Sequence, residues 1–281
     1  MNDTSPPTAQ PARKPSDLAP RVVSALVMVA AALAALWAGG LWFHLFWLAA
    51  GAAIVWEWQT MIDAPNRAPR LAFGAAALAA SAALTANLAI EWALGAAVLG
   101  ALAAGAAAGR GKGLWAATGV VYACALTMAT TLLRDSTFRG FESIVWLFAV
   151  VWTTDVMAYF GGRMIGGPKL WPRVSPSKTW SGFITGVSCG AVAGLAVAPV
   201  GSTIPYVAAL SLVAAMVSQG GDLFESSIKR RFGVKDSGHI IPGHGGVMDR
   251  LDGFIAAAVF AAIIAFARAG FASPAAALFT W

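Results

Sequence analysis

Nine apolar runs, each about as long as one membrane crossing, dominate this chain of 281 residues. Hydrophobic residues make up 58% of the sequence and charged residues only 11%, whereas soluble domains are roughly 25% charged. A helix needs about 20 mostly apolar residues to cross the hydrocarbon core of a bilayer. We therefore expect an all-α, polytopic integral membrane protein with about nine transmembrane helices, near 22–38, 41–61, 71–89, 92–108, 114–133, 142–161, 181–199, 204–220 and 253–270.

The basic residues are distributed unequally between the loops. If the N-terminus lies in the cytoplasm and nine spans follow, 16 of the 19 Lys and Arg residues fall on the cytoplasmic side, and only Arg134, Arg139 and Arg268 fall on the other. Cytoplasmic loops of membrane proteins carry such an excess. The net charge of +6 thus indicates topology rather than nucleic-acid binding. We expect a multi-pass protein of the inner (cytoplasmic) membrane with a cytoplasmic N-terminus.

Composition divides the chain into three regions. Residues 1–20 are rich in Pro, Ser, Thr and Ala, which predicts a disordered cytoplasmic tail. Residues 21–134 are apolar helices joined by short turns, and residues 135–281 hold most of the polar motifs and the expected functional site. Cys124 and Cys189 both lie in apolar spans, which favours buried free thiols over a disulfide or a zinc site.

Four glycines recur at every fourth position of the seventh span: Gly182, Gly186, Gly190 and Gly194. Glycines at this spacing share one helix face and allow another backbone to approach closely in lipid. We interpret this stripe as packing inside the bundle. A contact between two copies of the chain, in a homodimer, is the alternative.

Segment 222–252 differs sharply from the apolar background, because it holds 10 of the 32 charged residues and two of the three histidines. Charge at a membrane is unfavourable unless it is paired or functional. Clustered Asp residues beside glycine-rich backbone and basic side chains suit phosphate groups and a hard cation such as Mg²⁺. The candidate carboxylates are Asp222, Asp249 and Asp252, joined by Asp155, and the candidate phosphate-binding cations are Lys229, Arg230, Lys235 and Arg250.

The same segment is predicted to be helical from Ser226 to Arg231, irregular over 242–246 and helical again from Asp249. These features predict metal-dependent phosphate chemistry at the cytoplasmic membrane surface, and the apolar remainder of the chain indicates that one substrate is a lipid. Two alternatives are a salt-bridged loop that only sets topology and an ion-coupled transporter. Transporters usually hold their functional charges near the bilayer midplane, whereas Glu57 and Asp155 lie near predicted helix ends.

The charged segment also matches a known signature. It reads Ser226-x-Ile228-Lys229-Arg230-x4-Lys235-Asp236-x-Gly238-x2-Ile241-Pro242-x-His244-Gly245-Gly246-Val247-x-Asp249-Arg250-Leu251-Asp252 and resembles the signature of phosphatidate cytidylyltransferases, or CDP-diacylglycerol synthases. Three further motifs are similar to that family: Asp155-x-x-Ala158-Tyr159, Ser175-Pro176-x-Lys178-Thr179-Trp180 and Gly221-Asp222-Leu223-x-Glu225-Ser226. Before residue 135 only the polytopic character and Trp56-Glu57-Trp58 resemble it. Ser181 departs from the family, which usually has Glu after the Trp at this point.

The resemblance implies that CTP and phosphatidic acid react to give CDP-diacylglycerol and pyrophosphate, as a step of phospholipid biosynthesis among membrane lipids. It implies Mg²⁺ as the cofactor, held by Asp222 and Asp249 with Asp252 as an additional or indirect ligand; a second, monovalent cation is left open. The implied catalytic residues are Asp222, Lys229, Arg230, Lys235, Asp249 and Arg250. The implied substrate-binding residues are Asp155, Ser175, Lys178, Thr179, Ser226, Asp236, His244, Gly245 and Gly246. Another CTP-dependent membrane lipid kinase is the rival enzyme.

Overall fold

The computed structural model describes residues 18–270 and 273–281, with side chains from residue 21 onward. The predicted tail, 1–20, lies outside this part except for its last three residues, where the first helix has already begun. The described residues form nine α-helices: α1 Leu18–Ala38, α2 Gly40–Met61, α3 Arg67–Ala86, α4 Ile90–Ala108, α5 Gly113–Arg134, α6 Gly140–Ile165, α7 Trp180–Ala196, α8 Ile204–Arg231 and α9 Met248–Ala269. A short 3-10 helix, Pro274–Leu278, follows them.

Eight of these helices are long and apolar enough to cross a membrane, which confirms the expected helical, multi-pass architecture. The exception is α7, whose 17 residues extend over only ~25 Å, less than the ~30 Å of a bilayer's hydrocarbon core. Cys124 is buried and Cys189 is partly buried, and both thiols are free, as predicted.

Successive helices alternate in direction, so the connections collect on two faces. On one face, Ser24 at the start of α1 lies 2.7 Å from His244 in the connection before α9. On the opposite face, Arg139 before α6 donates a hydrogen bond of 2.7 Å to the carbonyl oxygen of Val200 after α7. The short helix α7 therefore still runs between the two faces.

Close backbone packing joins α6 to α7 along the glycine stripe. A Cβ atom at Gly186 would lie 2.6 Å from the carbonyl oxygen of Thr154, and one at Gly190 would lie 2.0 Å from Thr154 Oγ1. Only glycine permits such an approach without a shift of α6. The stripe packs inside the bundle, as interpreted from the sequence, and a homodimer stays a prediction that needs another surface.

The predicted end of the eighth span at Gly220 and Gly221 is wrong, because α8 continues without interruption to Arg231. A Cβ atom at Gly221 would lie 2.7 Å from the carbonyl oxygen of Asp252 and 2.6 Å from Ala256 Cβ. The glycine thus marks a close crossing of α8 and α9 rather than a helix end. In addition, α9 begins at Met248, one residue before the predicted helix start at Asp249, and α7 ends at Ala196 instead of 199.

A small antiparallel hairpin corrects the all-α prediction locally. Strands β1, Lys169–Trp171, and β2, Ser175–Thr179, lie between α6 and α7. The prolines in and beside them exclude a continuous helix. Thr179 then ends the hairpin and caps α7 by accepting a hydrogen bond of 3.1 Å from Gly182 N. The hairpin thereby fixes Lys178 immediately before α7.

Candidate active site

A cavity of about 700 Å³ lies where α6, the hairpin, α7, α8 and α9 meet. Its wall combines acidic and basic side chains in equal number: Asp155, Asp222, Asp236, Asp249 and Asp252 with Arg163, Lys169, Lys178, Lys229 and Arg250. A chain with so few charges gathers them here. This composition suits a polyanionic ligand together with a hard cation.

The cavity wall includes nine of the residues predicted from the sequence to form the site, namely Asp155, Lys178, Thr179, Asp222, Lys229, Asp236, Asp249, Arg250 and Asp252. Ser226 lies one helical turn away and donates to Asp222 Oδ1 at 3.3 Å. Ser175 pairs with Trp171 inside the hairpin, and Ser177 lines the cavity in its place. The functional roles of all these residues stay predictions.

Arg230 and Lys235 lie outside the cavity wall. Arg230 Nη1 donates to the carbonyl oxygen of Val234 at 3.1 Å, and its Nε donates to that of Val174 at 3.4 Å. These bonds tie the end of α8 to its own exit loop and to the hairpin. The side chain of Lys235 is exposed on the loop that follows.

Lys229 is the most enclosed cation of the cavity and lies between two carboxylates. Its Nζ is 2.6 Å from Glu225 Oε2 and 2.7 Å from Asp249 Oδ1. Glu225 is one turn earlier on α8, whereas Asp249 comes from the first turn of α9. All three side chains are buried. Paired in this way, the buried charges compensate one another and fix where the ammonium group points.

Asp249, which was predicted to be a metal ligand, is surrounded by hydrogen-bond donors of the protein. Besides Lys229, its carboxylate accepts hydrogen bonds from two backbone groups: Ser237 N at 3.0 Å and Gly246 N at 2.8 Å, both to Oδ2. Both oxygens are therefore already engaged within the protein. These contacts hold Lys229 and the loop in place, and the role of Asp249 as a metal ligand stays a prediction.

Gly245 and Gly246 support this carboxylate from the preceding turn. Gly245 has a φ of 83°, and a Cβ atom there would lie 2.7 Å from Asp249 Oδ2. His244, the next residue back, contacts Ser24 instead of the cavity. Its partial burial lowers the pKa of His244, and the positive charges of Arg250 and Arg21 lower this pKa further.

A second, more open ion pair lies on the hairpin side of the cavity. Lys178 Nζ is 2.6 Å from Asp222 Oδ2. Gln219 links this pair to α6, because its Nε2 donates to Asp155 Oδ1 at 3.2 Å and its Oε1 lies 3.5 Å from Lys178 Nζ. Ser181, where the related family usually has Glu, bonds to the carbonyl oxygen of Gly166 and so holds the start of α7 to the end of α6.

The donor set fits Mg²⁺ only if substrate oxygens complete it. Among the described residues, no group of three His, Cys, Asp or Glu side chains can hold a metal ion by itself. Mg²⁺ is usually held by one or two carboxylates, waters and substrate phosphates rather than by a protein cage. Asp222 and Asp252, with Asp155 beside them on the cavity wall, provide oxygen ligands of this kind.

Four residues that the sequence-based assignment left without a role contribute to the site: Glu57, Gln219, Glu225 and Ser237. Glu225 and Lys229 are four apart, a spacing that pairs opposite charges on a helix and could have indicated this ion pair. Glu57 is an acidic residue at the end of an apolar span, which is unusual, but the sequence does not indicate which residue it contacts.

The helical bundle with one charged cavity defines a polytopic membrane protein whose site is suited to phosphorylated ligands. A model of the cytidylyltransferase family matches residues 19–267. Phosphatidate cytidylyltransferase of Brucella abortus (strain 2308) is 43% identical over 265 residues, which cover 89% of this chain and 95% of the Brucella protein. The enzyme of the same name from Staphylococcus aureus (strain COL) is 44% identical over 120 residues, or 42% of this chain and 46% of that protein. The chain therefore belongs to the cytidylyltransferase family and is a nucleotidyltransferase, as the signature indicated.

Proposed function

We propose that the chain transfers the cytidylyl group of CTP to phosphatidic acid and forms CDP-diacylglycerol and pyrophosphate, with Mg²⁺, at the cytoplasmic face of the inner membrane. The main support is a cavity that combines five acidic and five basic side chains at one end of an apolar bundle. Relatives that share 43% of their residues with this chain carry the name of this activity.

The reaction joins two anions. An oxygen of the phosphatidic acid phosphate attacks the α-phosphorus of CTP, a new P–O bond forms, and the bond to the β-phosphate breaks as pyrophosphate leaves with the electron pair. The attacking phosphate is already an anion at neutral pH, so a strong general base is not needed. Catalysis of this kind depends on positioning and on charge stabilisation.

Three cations of the cavity wall are placed for this task. Lys229 is held rigidly by Glu225 and Asp249, and it presents its ammonium group from the inner side. Lys178 and Arg250 line the same cavity and can bind further phosphate oxygens. Mg²⁺, held by Asp222 and Asp252, would neutralise phosphate charge. Asp249 keeps Lys229 oriented by accepting its hydrogen bond.

The orientation in the membrane rests on charge. Outside the undescribed tail, 14 of the 17 remaining Lys and Arg residues lie on the face of the cavity, and 3 lie on the opposite face. An excess of this size is typical of the cytoplasmic side. CTP is a cytoplasmic nucleotide and the second substrate is a membrane lipid, so a site at this interface serves both.

The proposal is tested with the purified full-length protein in detergent, supplied with CTP, phosphatidic acid and Mg²⁺. We expect pyrophosphate and CDP-diacylglycerol in equal amounts. Asp249→Asn should lower turnover about 100-fold or more, since its amide group would face N–H donors and no longer orient Lys229. Asp63→Asn, a change at an exposed acid outside the cavity, is the matched control and should keep full activity.

Two outcomes would overturn the proposal. Release of CDP with a phosphorylated lipid would identify a lipid kinase. Absence of CTP turnover, combined with solute flux in liposomes, would identify a transporter.

A further inference from the structure

We propose that Glu57, in the N-terminal half of the chain, is a positioning residue of the active site that holds the loop between α8 and α9. This inference rests on the proposed function. Nothing in the charged segment 222–252 itself points to a residue so distant in sequence.

The carboxylate of Glu57 is fully engaged by the loop and by the start of α9. Its Oε1 accepts a hydrogen bond of 2.8 Å from Val247 N, and its Oε2 accepts one of 2.8 Å from Met248 N. Ser237 Oγ donates to the same Oε2 at 3.1 Å. Glu57 is 1% exposed, so water cannot replace these bonds. Val247 and Met248 would otherwise leave buried N–H groups without a partner at the helix start.

The end of α2 is a rigid support for this carboxylate. Trp58 Nε1 donates to the carbonyl oxygen of Trp115 at 2.8 Å, and Gln59 Nε2 donates to that of Ala116 at 2.8 Å. Arg70, which is fully buried, donates to the carbonyl oxygen of Gln59 at 2.9 Å. Residues on both sides of the α2 terminus therefore hold Glu57 in one place, as a positioning residue requires.

Glu57 and Asp249 accept hydrogen bonds from the same two segments, one at Ser237 and one at 246–248. Ser237 donates its hydroxyl to Glu57 and its backbone N–H to Asp249. In the second segment, Gly246 N donates to Asp249, while the N–H groups of Val247 and Met248 donate to Glu57. Since Asp249 in turn orients Lys229, a displaced Glu57 carboxylate would disturb the loop and the cavity cation together.

Gly238 and Gly246 pack directly against this carboxylate, and a side chain at either position would collide with it. A Cβ atom at Gly238 would lie 2.9 Å from Glu57 Oε1, and one at Gly246 would lie 2.7 Å from its Cδ. The glycines of the signature loop thus have a physical reason that does not involve the substrate: they admit the acid from α2.

The test compares Glu57→Gln with wild type in the CTP and phosphatidic acid assay. Gln keeps the volume, but its amide group must face a backbone N–H donor. We expect the KM for CTP to rise and kcat/KM for CTP to fall about tenfold or more, an effect of about 1.4 kcal/mol.

Two further variants keep the test decisive. Ser237→Ala removes only the hydroxyl contact and should shift the KM for CTP in the same direction by a smaller factor, even if Glu57→Gln does not fold. Glu142→Gln makes the same chemical change in the first turn of α6 on the opposite face and should leave both KM values unchanged.

A merely structural role would lower the folded fraction and the apparent kcat while both KM values stay constant, and that result would overturn the inference. So would a Glu57→Gln enzyme with wild-type KM for CTP and wild-type kcat. Wild-type protein that releases no pyrophosphate from CTP and phosphatidic acid is a separate result, because it refutes the proposed function before any variant is compared.

Discussion

The two walls of the cavity are stabilised in different ways. We define the inner wall as the end of α8 and the start of α9, where Lys229, Glu225 and Asp249 form a buried cluster with 11%, 0% and 3% of their side chains exposed. The outer wall consists of the end of α6, the hairpin and the start of α7. Its ion pair to α8 joins Lys178 and Asp222, whose side chains are 18% and 28% exposed.

The difference in burial indicates that the buried cluster maintains the shape of the cavity, whereas the exposed ion pair is free to bind a ligand. Removing one partner of a buried ion pair leaves an uncompensated charge and is strongly unfavourable. An ion pair open to water contributes little and is easily exchanged for another partner. We therefore expect the inner wall to keep its geometry through the reaction. Lys178 on the outer wall can turn to a phosphate, and its partner Asp222 on α8 can turn to a cation, at a small cost in free energy.

The largest effect should follow from Lys229→Met, which leaves two carboxylates facing each other inside the inner wall. We expect the free energy of unfolding to fall by about 3–5 kcal/mol and kcat to fall about 100-fold or more. Chemical denaturation in detergent and the pyrophosphate assay measure the two quantities. Lys112→Met, whose ammonium group donates only to a carbonyl oxygen on an exposed turn, is the control. A stability within about 1 kcal/mol of wild type would show that the cluster does not hold the wall.

Asp222→Asn should separate activity from stability. The side chain is partly exposed, so we expect unfolding to change by less than about 1 kcal/mol. The Mg²⁺ concentration for half-maximal activity should rise about tenfold or more, because a carboxylate ligand is lost. Titration of Mg²⁺ at saturating CTP measures this, with Asp63→Asn as the control. An unchanged Mg²⁺ requirement would remove Asp222 from the metal site.

The outer wall was largely predictable, because its signals are local. The prolines around the hairpin excluded a helix, the glycine spacing predicted close packing of α7, and the motif from Ser175 to Thr179 placed Lys178 beside the site. The inner wall was only half predictable. Its charged residues were identified, but the sequence cannot tell which charges bind a ligand and which bind each other. For example, the sequence did not indicate that Asp249 accepts hydrogen bonds from Lys229 and from two backbone N–H groups.

Two errors have a common physical origin. Gly221 was interpreted as a helix end, yet it permits α9 to cross α8, and Glu57 had no predicted partner, yet it binds the start of α9. Both roles depend on contacts between helices that are distant in sequence. Neither composition nor spacing within one helix reports such contacts, so tertiary structure was needed to assign them.

Gly186→Ala tests whether the outer wall depends on backbone contact between α6 and α7. The new methyl group would lie 2.6 Å from the carbonyl oxygen of Thr154, the residue before Asp155. We expect the free energy of unfolding to fall by about 1–3 kcal/mol, since overpacking forces the helices apart. Gly95→Ala, in α4 with no atom within 4 Å of the added Cβ, should be neutral or slightly stabilising. Equal stability of the two variants would mean that the stripe is not tightly packed.

The smallest change in stability should come from Lys178→Met, and this variant sharpens the comparison most directly with Lys229→Met. Both remove one lysine from the same cavity and differ only in the wall that carries it. We expect Lys178→Met to alter unfolding by less than about 1 kcal/mol and to raise the KM of a phosphate-bearing substrate about tenfold, as expected for one charge-assisted hydrogen bond. If Lys178→Met destabilised the protein as much as Lys229→Met does, the exposed ion pair would be structural. The inner and outer walls would then not differ in function.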